Sequence, residues 1–295
     1  MRKIFLGVLA VTALAFTSCS DDDTTTAPST SVLNVNINGL ENLGANFKYE
    51  GWIIVNGAPV TTGVFTVDDS GKLSKTSFVV SSAQLAVATK FVLSIEPAND
   101  TDPKPADTKI LAGDFTSNTA SISSSGIVGD FSKSVGKYIL ATPTDGMANN
   151  ERSGVWFLDN SSGSATTGLT LPTLSAGWKY EGWVVMNGTP VSTGTFTDPA
   201  KADDNAATST FKGGMGNGPG YPGEDYIQNA PTGLTFPTDL RGKKIVISVE
   251  PDPDNSAKPF VLKPLAHDVP ADAVDHKAYA MGNGPVSAIT GTVTR

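Results

Sequence analysis

The chain has 295 residues, with 21 lysines and arginines against 29 aspartates and glutamates, for a formal net charge of −8. That acidity excludes tracking of nucleic-acid phosphate, and the single cysteine excludes an internal disulfide or a cysteine zinc cluster. With 39% hydrophobic and 17% charged residues, the chain does not have the composition of a disordered acidic tail, and its length suits two domains.

Residues 1–18 have the form of a secretory signal. Arg2 and Lys3 make a positive start, Ile4 to Phe16 an apolar run, and Thr17 and Ser18 a small-residue approach to Cys19. The run is too short to span a bilayer comfortably. The lone cysteine sits where acylation needs it, so Cys19 is expected to be the lipidated first residue of the mature chain. An ordinary signal peptide beside an incidental cysteine is the alternative. Several acyl chains on one residue would give stable anchoring. Ser20, Asp21, Asp22 and Asp23 follow at once. They resemble the acidic export tag of surface lipoproteins of Bacteroidota, the alternative being a solvated tether. The expected address is the outer membrane, facing the cell surface, or else its periplasmic face. Residues 24–31 read as a flexible stalk.

Beyond the stalk the chain repeats itself. Residues 47–66 (FKYEGWIIVNGAPVTTGVFT) return at 178–197 (WKYEGWVVMNGTPVSTGTFT), 131 positions on. Residues 91–105 (FVLSIEPANDTDPKP) return at 245–259 (IVISVEPDPDNSAKP), 154 positions on. Two blocks in the same order mean a duplicated module. The difference between the offsets places an insertion in the second copy, near 198–244. Tyr49, Gly51, Ile53 and Val55 share one strand face, and Lys48, Glu50, Trp52 and Ile54 the other. Asn56-Gly57 and Asn187-Gly188 supply the positive φ angles of tight hairpins, and Pro59 and Pro190 suggest a slightly longer loop. Pro97 and Pro251 end strands. Residues 136–142 and 154–158 read as two further strands, and 277–281 as a mirror of the first. No capped helical stripe follows the signal. The expected fold is all-β: two tandem antiparallel β-sandwich (Ig-like) modules, 32–145 and 146–295, with closed barrels as the second architecture.

The pattern Tyr-Glu-Gly-Trp, then Asn-Gly-x-Pro-Val, then Thr-Gly-x-Phe, with the later Ser-x-Glu-Pro and Leu-Ala-x-Asp, resembles the extracytoplasmic β-domain of anti-sigma-K factor-like proteins. The resemblance covers both modules. It implies a β-domain outside the cytoplasm and an anti-sigma-like label. The family's regulators carry a cytoplasmic sigma-binding domain and a membrane helix ahead of this part, which the sequence does not show.

Candidate binding residues are few. Trp52 and Trp183 occupy matched positions and could form aromatic platforms for a sugar or a protein, or pack internally. The glycine-rich insertion presents Tyr221, Glu224, Asp225 and Tyr226 on what reads as an exposed loop. It lacks the lysine and helix of a phosphate loop. Asp252 and Asp254 could hold calcium, and His267 with His276 a transition metal. Neither set is assigned as a metal site, and no cofactor is expected. No serine triad or marked carboxylate pair stands out, so no catalytic residue is assigned. The sequence therefore reads as a noncatalytic, lipid-anchored envelope protein that binds an unknown protein or polysaccharide. A sensing ectodomain acting through another membrane protein is the second reading, and a glycan hydrolase the third.

Overall fold

The computed structural model describes residues 28–146, 149–254 and 256–295. Cys19, Ser20, Asp21, Asp22 and Asp23 lie outside the described residues. The first seven strands are β1 (Thr30–Ile37), β2 (Phe47–Val55), β3 (Ala58–Phe65), β4 (Ser77–Ser81), β5 (Lys90–Pro97), β6 (Lys109–Thr116) and β7 (Thr119–Ser123). Next come β8 (Val135–Leu140), β9 (Gly154–Trp156) and three two-residue strands, β10 (Leu158–Asp159), β11 (Thr166–Thr167) and β12 (Leu169–Thr170). The duplicated blocks follow as β13 (Trp178–Met186), β14 (Thr189–Phe196), β15 (Gly223–Asp225), β16 (Lys244–Pro251) and β17 (Lys263–Asp268). The chain closes with β18 (Tyr279–Val286) and β19 (Thr290–Thr294).

The protein is all-β, built on two large antiparallel sheets. Sheet one runs β3-β2-β5-β6-β7-β19-β1-β4, and sheet two β14-β13-β16-β17-β18-β8-β9-β15. In sheet one the two outermost strands come back together. The Phe65 ring of β3 lies 6.0 Å from Phe78 of β4, and Tyr49 stacks on Phe65 at 5.5 Å. The sheet therefore curls around its own apolar face. Buried residues from both sheets belong to one continuous core cluster.

The strand reading holds at the residue level. Tyr49 and Ile53 point into the core, as the alternation requires. Asn56 and Asn187 have φ of 51° and 53°, and the glycines after them 80° and 81°. The hairpins are two-residue turns, because Val55 pairs directly with Ala58 and Met186 with Thr189. Pro59 and Pro190 do not lengthen them. β3 and β14 are edge strands, where a missing N–H costs no ladder bond. Each hairpin carries a bulge, between Gly51 and Trp52 and again between Gly182 and Trp183. A Cβ on Gly51 would meet Thr62 Oγ1 at 2.5 Å, and one on Gly182 would meet Thr193 Oγ1 at 2.2 Å. The two glycines make room for the bulged threonines.

Three expectations change. A short helix, α1 (Ser82–Val87), follows β4, with the Ser81 hydroxyl accepting from Gln84 N–H. It is under two turns long, too short to print an amphipathic stripe. Residues 277–281 do not repeat the role of 136–142. Tyr279 pairs directly with Tyr138, so the two segments are neighbours in one sheet. The division at 145 does not separate the sheets. β8 lies before it yet belongs to sheet two, and β19 lies far beyond it yet sits between β7 and β1 in sheet one. Strand pairing at this sequence distance leaves no local periodicity.

Candidate functional site

The duplicated motifs form the same buried relay in both halves. Trp52 Nε1–H donates to Ser94 Oγ at 2.8 Å, and the Ser94 hydroxyl donates to Glu96 Oε1. Glu96 Oε1 also accepts from Ala106 N–H at 2.8 Å. In the second copy Trp183 Nε1–H donates to Ser248 Oγ at 2.8 Å, Ser248 to Glu250, and Phe260 N–H to Glu250 Oε1 at 2.8 Å. Serine and glutamate two apart on one strand face the same side, which is why the Ser-x-Glu spacing recurs. The relay ties the proline-rich loop after β5 or β16 back over the outer face of the sheet.

This geometry corrects the platform reading of Trp52 and Trp183. The rings are 1% and 2% exposed, and each indole N–H is bound internally. Burial raises the carboxyl pKa of Glu96, and that of Glu250 to about 8. Among the described residues Glu250 Oε2 is buried without a hydrogen-bond partner, which further disfavours the charged form. Glu181 rises to about 7 by the same desolvation.

The insertion does not present Glu224, Asp225 and Tyr226 to solvent. Glu224 and Asp225 belong to β15, which adds to β9, and Glu224, Asp225 and Tyr226 are 3%, 0% and 0% exposed. Asp225 Oδ2 accepts from Thr144 N–H at 2.7 Å and from the Thr144 hydroxyl at 2.5 Å, and its Oδ1 accepts from Trp156 Nε1–H at 2.7 Å. Glu224 accepts from the Ser209 hydroxyl and from Asp225 N–H. The Tyr226 hydroxyl donates to Val191 O at 3.3 Å. Tyr221 is partly buried against Trp156 and its neighbours, with its hydroxyl on Ala165 O at 3.1 Å. A three-residue strand is too short to show alternation, so its register could not be read from sequence. Asp203, which sequence reasoning passed over, is 6% exposed, accepts from Gly223 N–H at 2.9 Å, and has its pKa raised by desolvation to about 6.

The metal candidates separate. Asp252 lies 3.5 Å from Lys179, and Asp254 accepts from Ser256 N–H at 2.9 Å. His267 Nδ1 shares a hydrogen bond with the Tyr138 hydroxyl at 2.9 Å, while His276 Nε2 lies 3.3 Å from Glu151. Among the described residues no group of three or more histidines, cysteines or acids could hold a metal ion.

The structure instead offers a groove. A cavity of about 630 Å³ lies on sheet two over β16, β17 and β18, and Lys244, Val246, Lys263, Ala266, His267 and Asn283 line it. Its size falls in the range of small-ligand sites. Lys244 is paired with Asp268 at 2.7 Å. Lys263 is half-buried, donates to Phe260 O at 2.5 Å, and has its pKa lowered by desolvation. The first copy repeats much of this framework, with Lys90 on Asp114 at 3.4 Å and Lys109 on Ala106 O at 2.9 Å. It cannot repeat the His267 wall. Gly113 stands there, and a Cβ on it would meet Ser121 O at 2.0 Å. The matched lysines 90/244 and 109/263 were the sequence signal for this face.

Fold and groove together define an all-β protein of two large antiparallel sheets with a concave, largely apolar face edged by Lys244, Lys263, His267 and Asp268. No family model, no curated protein and no solved structure matches the chain.

Proposed function

We propose that this chain is a noncatalytic, lipid-anchored protein of the outer membrane, facing the cell surface, whose two-module sandwich body binds a protein or polysaccharide. The observation that carries the reading is Cys19, the only cysteine, placed after a positive and then apolar leader and before Ser20, Asp21, Asp22 and Asp23. The groove at Lys263 and His267 supports a binding role for the second copy. The buried acids support a noncatalytic one, because Glu96, Glu224, Asp225 and Glu250 are each occupied in hydrogen bonds that hold strands and loops.

Metabolic labelling with palmitate tests the anchor. The intact chain takes up label and Cys19→Ala takes up none; equal labelling of both sinks it. Protease shaving of intact cells separates the surface from the periplasmic face. A photo-crosslinker placed at Asn283 captures the partner of the groove, and the same probe at Asn118 does not; equal capture at both positions rejects the groove as the binding face. The likeness to anti-sigma-K factor-like domains favours a second reading, a sensing ectodomain acting through a membrane regulator. Capture of an inner-membrane regulator by the same probe would replace the first reading with the second.

A further inference from the structure

The two sheets have one strand order. β2, β3, β5 and β6 hold the places in sheet one that β13, β14, β16 and β17 hold in sheet two, and these are the duplicated sequences. The place between β7 and β1 therefore corresponds to the place between β18 and β9. β19 fills the first and β8 the second. Along the chain, however, β8 follows β7 and β19 follows β18. Each repeat lends its last strand to the other repeat's sheet.

Registers confirm the match. Gly291 of β19 stands opposite Ile122 of β7, and Gly136 of β8 stands opposite Met281 of β18. Two residues on, Val293 faces Ala120 and Tyr138 faces Tyr279. Val293 and Tyr138 are both 0% exposed. The offset from Gly136 to Gly291 is 155 positions, one more than that of the preceding repeated block. Setting Gly291 opposite Met281 within the second repeat would need a three-residue hairpin loop at 285–287, which takes Pro285 and Val286 out of β18. Contacts exchanged within one chain can also form between two copies of it.

The place in sheet one is selective. A Cβ on Gly291 would meet Asn36 O at 2.7 Å. Val293 fills the core. The Arg295 guanidinium donates to Leu85 O at 2.6 Å, Ala88 O at 2.9 Å and Ser117 O at 2.9 Å, and lies 4.6 Å over the Phe115 ring. Main-chain pairing supplies affinity and these three positions supply choice, as in other strand-addition sites. We propose that the cleft between β7 and β1 is a strand-acceptor site reading Gly-x-Val-x-Arg, filled here by Thr290–Arg295, and that a second copy of this chain can fill it with the same strand.

The test uses the full chain carrying Val293→Asp, whose own strand cannot be buried, and a fluorescent synthetic peptide of residues 287–295. The expected result is saturable 1:1 binding by anisotropy, weakened at least tenfold when the peptide carries Gly291→Val. Mixing the Val293→Asp chain with a chain carrying Ala120→Asp, which keeps its strand but blocks its own cleft, should give a 1:1 heterodimer by light scattering. A folded Val293→Asp chain that ignores the peptide overturns the acceptor site. Peptide binding without a heterodimer overturns donation by a second copy. Should Val293→Asp fail to fold, a protease site placed at 287–289 of the otherwise native chain replaces it. After cleavage the labelled peptide must displace the native strand, and absence of displacement overturns the proposal.

Discussion

Ser124 and Ile289 are joined by two hydrogen bonds at the point where the crossing segments meet. Ser124 N–H donates to Ile289 O at 3.0 Å, and Ile289 N–H donates to Ser124 Oγ at 3.0 Å. Both residues are buried, at 0% and 3% exposure. One lies just after β7, leaving sheet one; the other lies just before β19, entering it. A clasp at this point couples the two halves.

That coupling predicts a single calorimetric unfolding transition for the chain, despite its internal duplication. Ser124→Ala removes the acceptor for a buried N–H and should cost about 1–3 kcal/mol, with Tm falling about 2–4 °C per kcal/mol. Two well-separated transitions in the wild-type chain would contradict the coupling.

The relay beneath the second loop should be cooperative. Trp183→Phe and Ser248→Ala each break the indole–hydroxyl bond. In a double-mutant cycle by chemical denaturation the two changes should be non-additive by about 0.5–1.5 kcal/mol. Simple additivity would mean that the bond at 2.8 Å adds nothing to stability.

Glu250 gives the stability a pH dependence of defined sign. Its folded pKa is raised to about 8, so the native state holds a proton that the unfolded chain releases near the ordinary glutamate value of about 4.3. This contribution is fully present below pH ~4.3 and is lost as pH rises through about 8. Glu181, Glu224 and Asp203, raised to about 7, 7 and 6, act in the same direction. Tm should therefore fall between pH 5 and pH 8.5, and Glu250→Gln should flatten that fall. An unchanged slope in Glu250→Gln would assign the dependence to other groups.

Asp225 holds the insertion to the sheet. Asp225→Ala leaves Thr144 N–H and Trp156 Nε1–H unpaired in a buried site and should destabilise the fold by about 2–6 kcal/mol, since each orphaned group costs about 1–3 kcal/mol. Limited proteolysis should then cut within 212–222, a segment that intact contacts such as Met215 N–H on Thr144 O at 2.9 Å keep in place. Equal resistance of wild type and variant would show that β15 is retained without Asp225.

Sequence alone determined what local chemistry determines. Asn56-Gly57 and Asn187-Gly188 specify tight hairpins with positive φ, though not their length, the Tyr49–Ile53 alternation specifies the core face, and the repeated Ser-x-Glu-Pro predicts two copies of one strand end. These are properties of neighbouring residues and of fixed period. Much of the candidate site was not legible. Trp52 and Trp183 could equally have been exposed or buried until each indole N–H was seen bound to a serine of the neighbouring strand. Glu224, Asp225 and Tyr226 read as loop residues because β15 is too short for a pattern. The groove at Lys263 needs three strands that meet only in space. Tertiary structure alone decided the exchange of β8 and β19. Their alternation tells which face of each strand is buried, but not whose sheet buries it, because a strand's backbone donors and acceptors are satisfied equally well by either copy of a duplicated module.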